Sequence, residues 1–147
     1  MAPNSASATA PKKQRRPKLQ VLEFAANQMS HIYMRTDKPP FSDVRVRRAI
    51  SLAFNRQGIL DAVLEGVGVF NPAVPAAFKE WALPVDQLGE GAQYYKFDPA
   101  RAKKLLAEAG YPNGFQATIS YATYGSTIVV DTLQLLLKYM KDIGIDA

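Results

Sequence analysis

The sequence contains no cysteine and a single histidine, His31. The first absence excludes disulfide scaffolds, thiol nucleophiles and cysteine-based metal sites. The second leaves no material for a histidine triad or a histidine metal cluster. No apolar run approaches the roughly 18 residues that a membrane-spanning helix requires. After the basic N-terminal stretch the chain reads "LQVLEFAANQ", too short and too polar for the apolar region of a signal peptide. Neither a G-x-x-x-x-G-K-[ST] phosphate loop nor a G-x-G-x-x-G turn occurs, and "GVGVFNPA" has two glycines without the rest of either pattern.

Acid is also absent from residues 1–18, "MAPNSASATAPKKQRRPK", which carry Lys12, Lys13, Arg15, Arg16 and Lys18. Those five account for the whole net charge of +5, because the other 13 basic residues equal the 13 acids in number. Residues 1–18 therefore read as a disordered basic tail rich in Ala, Pro and Ser, ahead of a neutral body over 19–147. That body is long enough for one domain with a sizeable core. Its acids are scattered over caps and solvent faces, so no carboxylate pair for acid–base chemistry stands out.

Hydrophobic patterning gives the order of elements. "LQVLEF" and "SHIYMRTD" read as two short strands, the second with Ile32 and Met34 on one face. "KPP" interrupts regular structure. Ser42 suits an N-cap and Asp43 the first turn of a helix. Its stripe is Val46, Ala49, Ile50 and Ala53, continuing through Leu60, Val63 and Leu64. Arg45, Arg48, Leu52 and Asn55 fall on the other side. Gly58 marks a possible break, so one bent helix or two short ones both fit, and Gly66 and Gly68 close the segment. Residues 67–95 show no period and read as a long, partly apolar loop with a short strand or turn.

The second half is clearer. In "FDPARAKKLLAEAGYPNGF", Asp98 caps a helix, Pro99 takes its first position, and Ala102, Leu105, Leu106 and Ala109 form its buried stripe. "FQATISY" alternates as a half-buried strand. "YGST" turns the chain, with Ser126 or Thr127 as cap. The last helix places Val129, Leu133, Leu136, Leu137, Met140 and Ile143 on one face. Helices and strands in this order predict an α/β (α+β) layered domain, helices packed on a small mixed sheet.

Four arginines crowd "PPFSDVRVRRAISLAFNRQGIL": Arg45, Arg47, Arg48 and Arg56. A recognition helix would aim such side chains at nucleic acid, but a helix-turn-helix needs a second helix three or four residues away. The neutral body also lacks the broad basic field of a phosphate binder. The arginines are expected to pair with neighbouring acids on a solvated face. His31 is expected to be a packed or surface residue, and Trp81, Tyr94 and Tyr95 to anchor the core or the loop.

"KPPFSDVRVRRAISLAFNRQGIL", the glycine-rich exit "LEGVG" and "YYKFDPARAKKLLAEAGYPNGF" together resemble the family 5 solute-binding proteins of ABC importers, the dipeptide-, oligopeptide- and nickel-binding type. The similarity covers roughly residues 19–147. Arg35 stands where that family usually has an asparagine, and the basic tail has no counterpart in it. The resemblance implies a single lobe of a two-lobed periplasmic binding protein, present as an internal piece that ends before the strand expected after Gly144. It implies a non-enzymatic role without a cofactor, capturing peptides or similar small solutes with an ABC permease as partner. It places the parent in the periplasm or at the cell surface, although this chain shows no signal peptide. It puts Tyr121, Tyr124, Gly125, Ser126 and Thr127 nearest a ligand, in the turn entering the last helix. The acidic partner of a peptide's amino terminus would lie downstream, so weak binding and some self-association of this chain are expected. The alternative is a small interaction module whose basic tail binds nucleic acid or an acidic partner.

Overall fold

The computed structural model describes residues 22, 29–70 and 74–147. The expected strand over 19–24 and the tail over 1–18 lie outside these residues, Leu22 apart. "SHIYMRTD" does not form a strand. It bends instead, with the Thr36 amide donating to the Met34 carbonyl at 2.9 Å and the Arg35 guanidinium clamped on Asp37. Period-two patterning alone makes no strand without a neighbour for its backbone, and no described strand pairs with this segment.

Helix α1 spans Val44–Ala53. Asp43, not Ser42, is its N-cap: the carboxylate accepts from the Arg45 amide at 2.7 Å and also holds the Arg45 guanidinium. The predicted stripe is buried, with Val46, Ala49, Ile50 and Ala53 at most 1% exposed. Leu52, expected outside, is fully buried as well. Its place beside the stripe lies under the Asp98 region, where the Asp98 amide donates to the Leu52 carbonyl at 2.8 Å.

The chain breaks at Phe54–Asn55 and resumes as α2, Arg56–Leu64, so two short helices are formed. Asn55 caps α2 by accepting from the Gly58 amide at 2.9 Å. A Cβ on Gly58 would sit against that amide side chain. Gly58 therefore serves the break indirectly, by making room for the cap inside the helix. Glu65, in the left-handed region, then ends α2 ahead of Gly66.

Among the described residues the long loop forms no strand: it turns at 75–82, where the Phe78 amide donates to the Pro75 carbonyl and the Trp81 amide to the Phe78 carbonyl, and adds two 3₁₀ segments, Val85–Gln87 and Gly89–Tyr95. Helix α3, Pro99–Glu108, starts as the sequence indicates, with Asp98 accepting from the Arg101 amide at 2.9 Å and proline at the first position. Ala102 and Leu106 are buried against α1, while Leu105 and Ala109 are half-buried beside them.

Strand β1 is only Phe115–Gln116. It pairs in parallel with β2, Ile145–Asp146, through the intervening helix α4, Thr127–Asp142. The strand thought to be missing after Gly144 thus begins at Ile145, and Ile145 is fully buried. A parallel pair needs a crossover of this kind, and α4 supplies it. The alternation of "FQATISY" persists as burial, Phe115, Ala117 and Ile119 being half-buried, yet only the residues opposite β2 join the ladder. Gly114 makes the close approach possible: a Cβ there would overlap the Gly144 carbonyl oxygen. The core is one cluster drawn from α1, α3, the end of α4 and β2.

Candidate functional site

The sequence between β1 and α4 carries no charge from Phe115 to Val130. Its exposed end is the turn 121–127. The Ser126 amide donates to the Thr123 carbonyl at 2.8 Å, and the Gly125 amide to the Thr123 hydroxyl at 3.4 Å. Tyr124 and Gly125 both take left-handed backbone, at φ 48° and 72°. Tyr121 is 56% exposed and Tyr124 92% exposed. Ser126 occupies the N-cap of α4, but its hydroxyl makes no capping bond, and Thr127 is the first helical residue. The five candidate residues therefore lie in one segment at the start of a 16-residue helix, four of them exposed and Ser126 half-buried. What the turn offers is two aromatic rings, free hydroxyls and the unpaired amides of a helix's first turn.

The arginines do a different job from the one expected. Only Arg45 of the four bonds a carboxylate, Asp43, at 2.6 Å. Each member of that pair shifts the other: the guanidinium lowers the Asp43 pKa, and the carboxylate raises that of Arg45. Arg45 also reaches across to the Glu108 carbonyl at 2.6 Å, tying α1 to the end of α3. Arg47 donates to the Phe41 and Ser42 carbonyls. Arg48 lies over the Tyr94 ring at 4.4 Å, with Arg101 on the same ring at 5.1 Å. Arg56 is half-buried. It donates to the Ser51 carbonyl at 2.8 Å, the Tyr95 carbonyl at 3.2 Å and the Ser51 hydroxyl at 2.7 Å. The Ser51 hydroxyl in turn donates to the Tyr94 carbonyl at 2.7 Å. The Phe70 and Tyr95 rings stack on the Arg56 guanidinium, and burial lowers its pKa.

These contacts make the arginine cluster a clasp for the long loop. Tyr94 and Tyr95 are loop anchors, as expected, whereas Trp81 is 76% exposed and anchors nothing through its ring. His31 lies on the surface, tilted against Tyr33. Ser51 was not singled out from sequence. Its signal was a small hydroxyl residue on a buried helix, five positions before an arginine. Among the described residues no group of three His, Asp or Glu side chains is placed to hold a metal ion, and no helix is long and apolar enough to cross a membrane.

Comparison with known proteins decides what kind of scaffold this is. The sequence matches the family "Bacterial extracellular solute-binding proteins, family 5 Middle" over residues 1–147. The chain belongs to that family. The match is wider than the 19–147 read from the motifs, and it takes in the basic stretch as well. Heme-binding protein A of Haemophilus influenzae is 40% identical over 102 residues, covering 68% of this chain and 17% of that protein. Glutathione-binding protein GsiB of Escherichia coli is 29% identical over 124 residues, covering 80% of this chain and 21% of that protein. The solved structure of HbpA2 from Haemophilus parasuis superposes with a TM-score of 0.53 at 31% identity, over 76% of this chain and 22% of that one. The chain thus spans about a fifth of the length of these relatives. The fold agrees with a single lobe of a mixed α/β solute-binding protein.

Proposed function

We propose that this family 5 chain serves solute capture for an ABC importer, without enzymatic activity of its own, and that the turn 121–127 is its ligand-facing surface. The observation that carries the reading is the family match over residues 1–147. The proposed solutes are peptides or similar small molecules. The glutathione-binding relatives support that class, glutathione being a small peptide, and the heme-binding relative widens it. An ABC permease is the proposed partner, and the periplasm or the cell surface the proposed location, in keeping with a family described as extracellular. In a two-lobed binder, ligands are enclosed by hinge closure, so residues on an exposed turn meet the solute before closure.

Amide NMR of the chain titrated with glutathione tests this. Chemical-shift changes should concentrate at Tyr121, Tyr124, Gly125, Ser126 and Thr127, with a dissociation constant on the order of millimolar, because one turn supplies few contacts. Shifts centred elsewhere in the described fold would overturn the site. Sub-micromolar affinity would overturn the view that this turn binds only weakly by itself. Self-association belongs to the same proposal. The Ala117 amide still donates to the Asp146 carbonyl at 2.8 Å, but the backbone of 118–121 runs on with no described strand beside it, and an unpaired edge invites a second copy. Sedimentation should show mass rising with concentration, and a strictly monomeric profile at high concentration would count against it.

A further inference from the structure

Most aromatic side chains of this protein are committed to one another or to arginine. Phe41 and Tyr111 pack edge-on against Phe115, Phe97 lies against Tyr139, and Tyr94, Tyr95 and Phe70 receive guanidinium groups. Tyr121 and Tyr124, like Phe78 and Trp81 of the long loop, are different. Neither ring meets another ring or a cation, neither hydroxyl is hydrogen-bonded, and both are exposed. They stand three residues apart in the charge-free stretch from Phe115 to Val130. A carboxylate or ammonium group entering here would find no opposite charge from within this stretch. Stacking on a ring and neutral hydrogen bonding are what remain.

Resting on the proposed solute-facing role of this turn, we infer that Tyr121 and Tyr124 select a flat, uncharged aromatic part of the solute. Each of these exposed rings offers a ligand ring a contact surface. Aromatic pairs gain beyond simple area burial, so an aromatic group is favoured over an aliphatic one of similar size by about three- to tenfold. The tyrosine hydroxyls, and the free Ser126 hydroxyl beside them, remain available to a polar edge of the same solute.

The test compares three small solutes on the full chain by amide NMR: N-acetyl-phenylalaninamide, its size-matched saturated counterpart N-acetyl-cyclohexylalaninamide, and glutathione. The aromatic amide should bind about three- to tenfold tighter than the cyclohexyl amide, with shifts at residues 121–128. Tyr121→Ala with Tyr124→Ala should erase that preference, whereas Tyr121→Phe with Tyr124→Phe should keep it. The spectra also report whether each variant stays folded. Binding at the turn with equal affinity for all three solutes overturns the aromatic preference and leaves the site standing. Tighter binding of glutathione than of either amide overturns it too, because charge recognition then dominates. Absence of shifts at the turn with every solute overturns the site and the preference together.

Discussion

The two halves of this molecule use the same residue types to opposite ends. Around α1, α2 and α3, Arg56, Tyr94 and Tyr95 turn inward. Arg56 closes on three carbonyls, a hydroxyl and two rings, and Tyr94 is held between guanidinium groups and the Ser51 hydroxyl. Between β1 and α4, tyrosines stand out in solvent without partners. The long motifs that mark the family are therefore scaffold. Their residues carry the fold, while the turn proposed to meet solute is sparsely tied. A region with few internal contacts is free to give its side chains to a ligand, and it adds little to folding stability.

If that contrast is sound, the largest effect belongs to the α1–α3 seam. Leu106→Ala removes a side chain that is 1% exposed at the centre of the core. It should cost about 3–5 kcal/mol, measured by urea unfolding. The same change at half-buried Leu133 in α4 should cost about 1–2 kcal/mol. Equal costs at the two positions would erase the distinction between a rigid seam and a lightly packed α4.

Next is the clasp. Arg56→Ala leaves the Ser51 hydroxyl and the loop carbonyls without their donor and strips the cation from two rings, so about 2–3 kcal/mol should be lost. Arg56→Lys should recover only a minor part. An ammonium group cannot reproduce a planar fork that serves several acceptors while stacked. Full rescue by lysine would show that charge alone matters there. Amide exchange in residues 85–95 should quicken in Arg56→Ala, since this is the loop that the guanidinium secures.

How much of this was legible follows from what each residue does. Periodicity exposes side chains that repeat at helical spacing, so Val46, Ala49, Ile50, Ala102 and Leu106 were read correctly. It does not expose contacts to backbone carbonyls. Charge counting suggested acid partners for all four arginines, and only Arg45 has one. The carbonyls that hold Arg47 and Arg56 belong to any residue type and leave no mark in a sequence. Leu52 was misplaced because α1 is covered from two sides, by α3 and by the 3₁₀ segment Gly89–Tyr95, which widens its buried face beyond a single stripe. "FQATISY" and "SHIYMRTD" share one pattern, yet among the described residues only the first meets a partner strand, and a partner cannot be read from the strand itself. The turn 121–127 was placed through family resemblance, because exposed tyrosines in a loop carry no periodic signal.

A smaller effect concerns the start of α1. Asp43 is ionised more readily than a free carboxyl, first because of the Arg45 guanidinium and then because of the Arg45 amide. Its folded pKa therefore lies below its unfolded value. The stabilisation is complete above the unfolded value, near 4, and is lost as the pH falls through the lower folded value. Arg45→Met removes the larger cause and leaves the amide cap. The decline of melting temperature between about pH 5 and about pH 2 should become shallower in that variant. Because the pair is exposed, added salt should narrow the difference between the two proteins. An unchanged acid limb would show that the capping amide alone fixes the carboxylate.

The smallest effect on stability is expected at the most exposed ring, and it bears most directly on the contrast. Tyr124 holds φ at 48°, a left-handed conformation that costs a side-chain-bearing residue about 1–2 kcal/mol. Tyr124→Gly removes that strain but adds about 0.5–1 kcal/mol of unfolded-chain entropy, so the two nearly cancel. The ring itself contributes almost nothing to packing, being 92% exposed. Unfolding should therefore shift by less than about 1 kcal/mol, with a small gain more in keeping with the numbers than a loss. Solute-induced shifts at Ser126 and Thr127 should nonetheless weaken in the same variant. A loss of stability well beyond 1 kcal/mol would mean that Tyr124 is part of the scaffold, and the distinction between the two regions would fail at the residue chosen to represent it. Preserved stability with weakened solute response would separate the two roles within one side chain: strained and unpartnered in the free protein, and engaged only when a ligand is present.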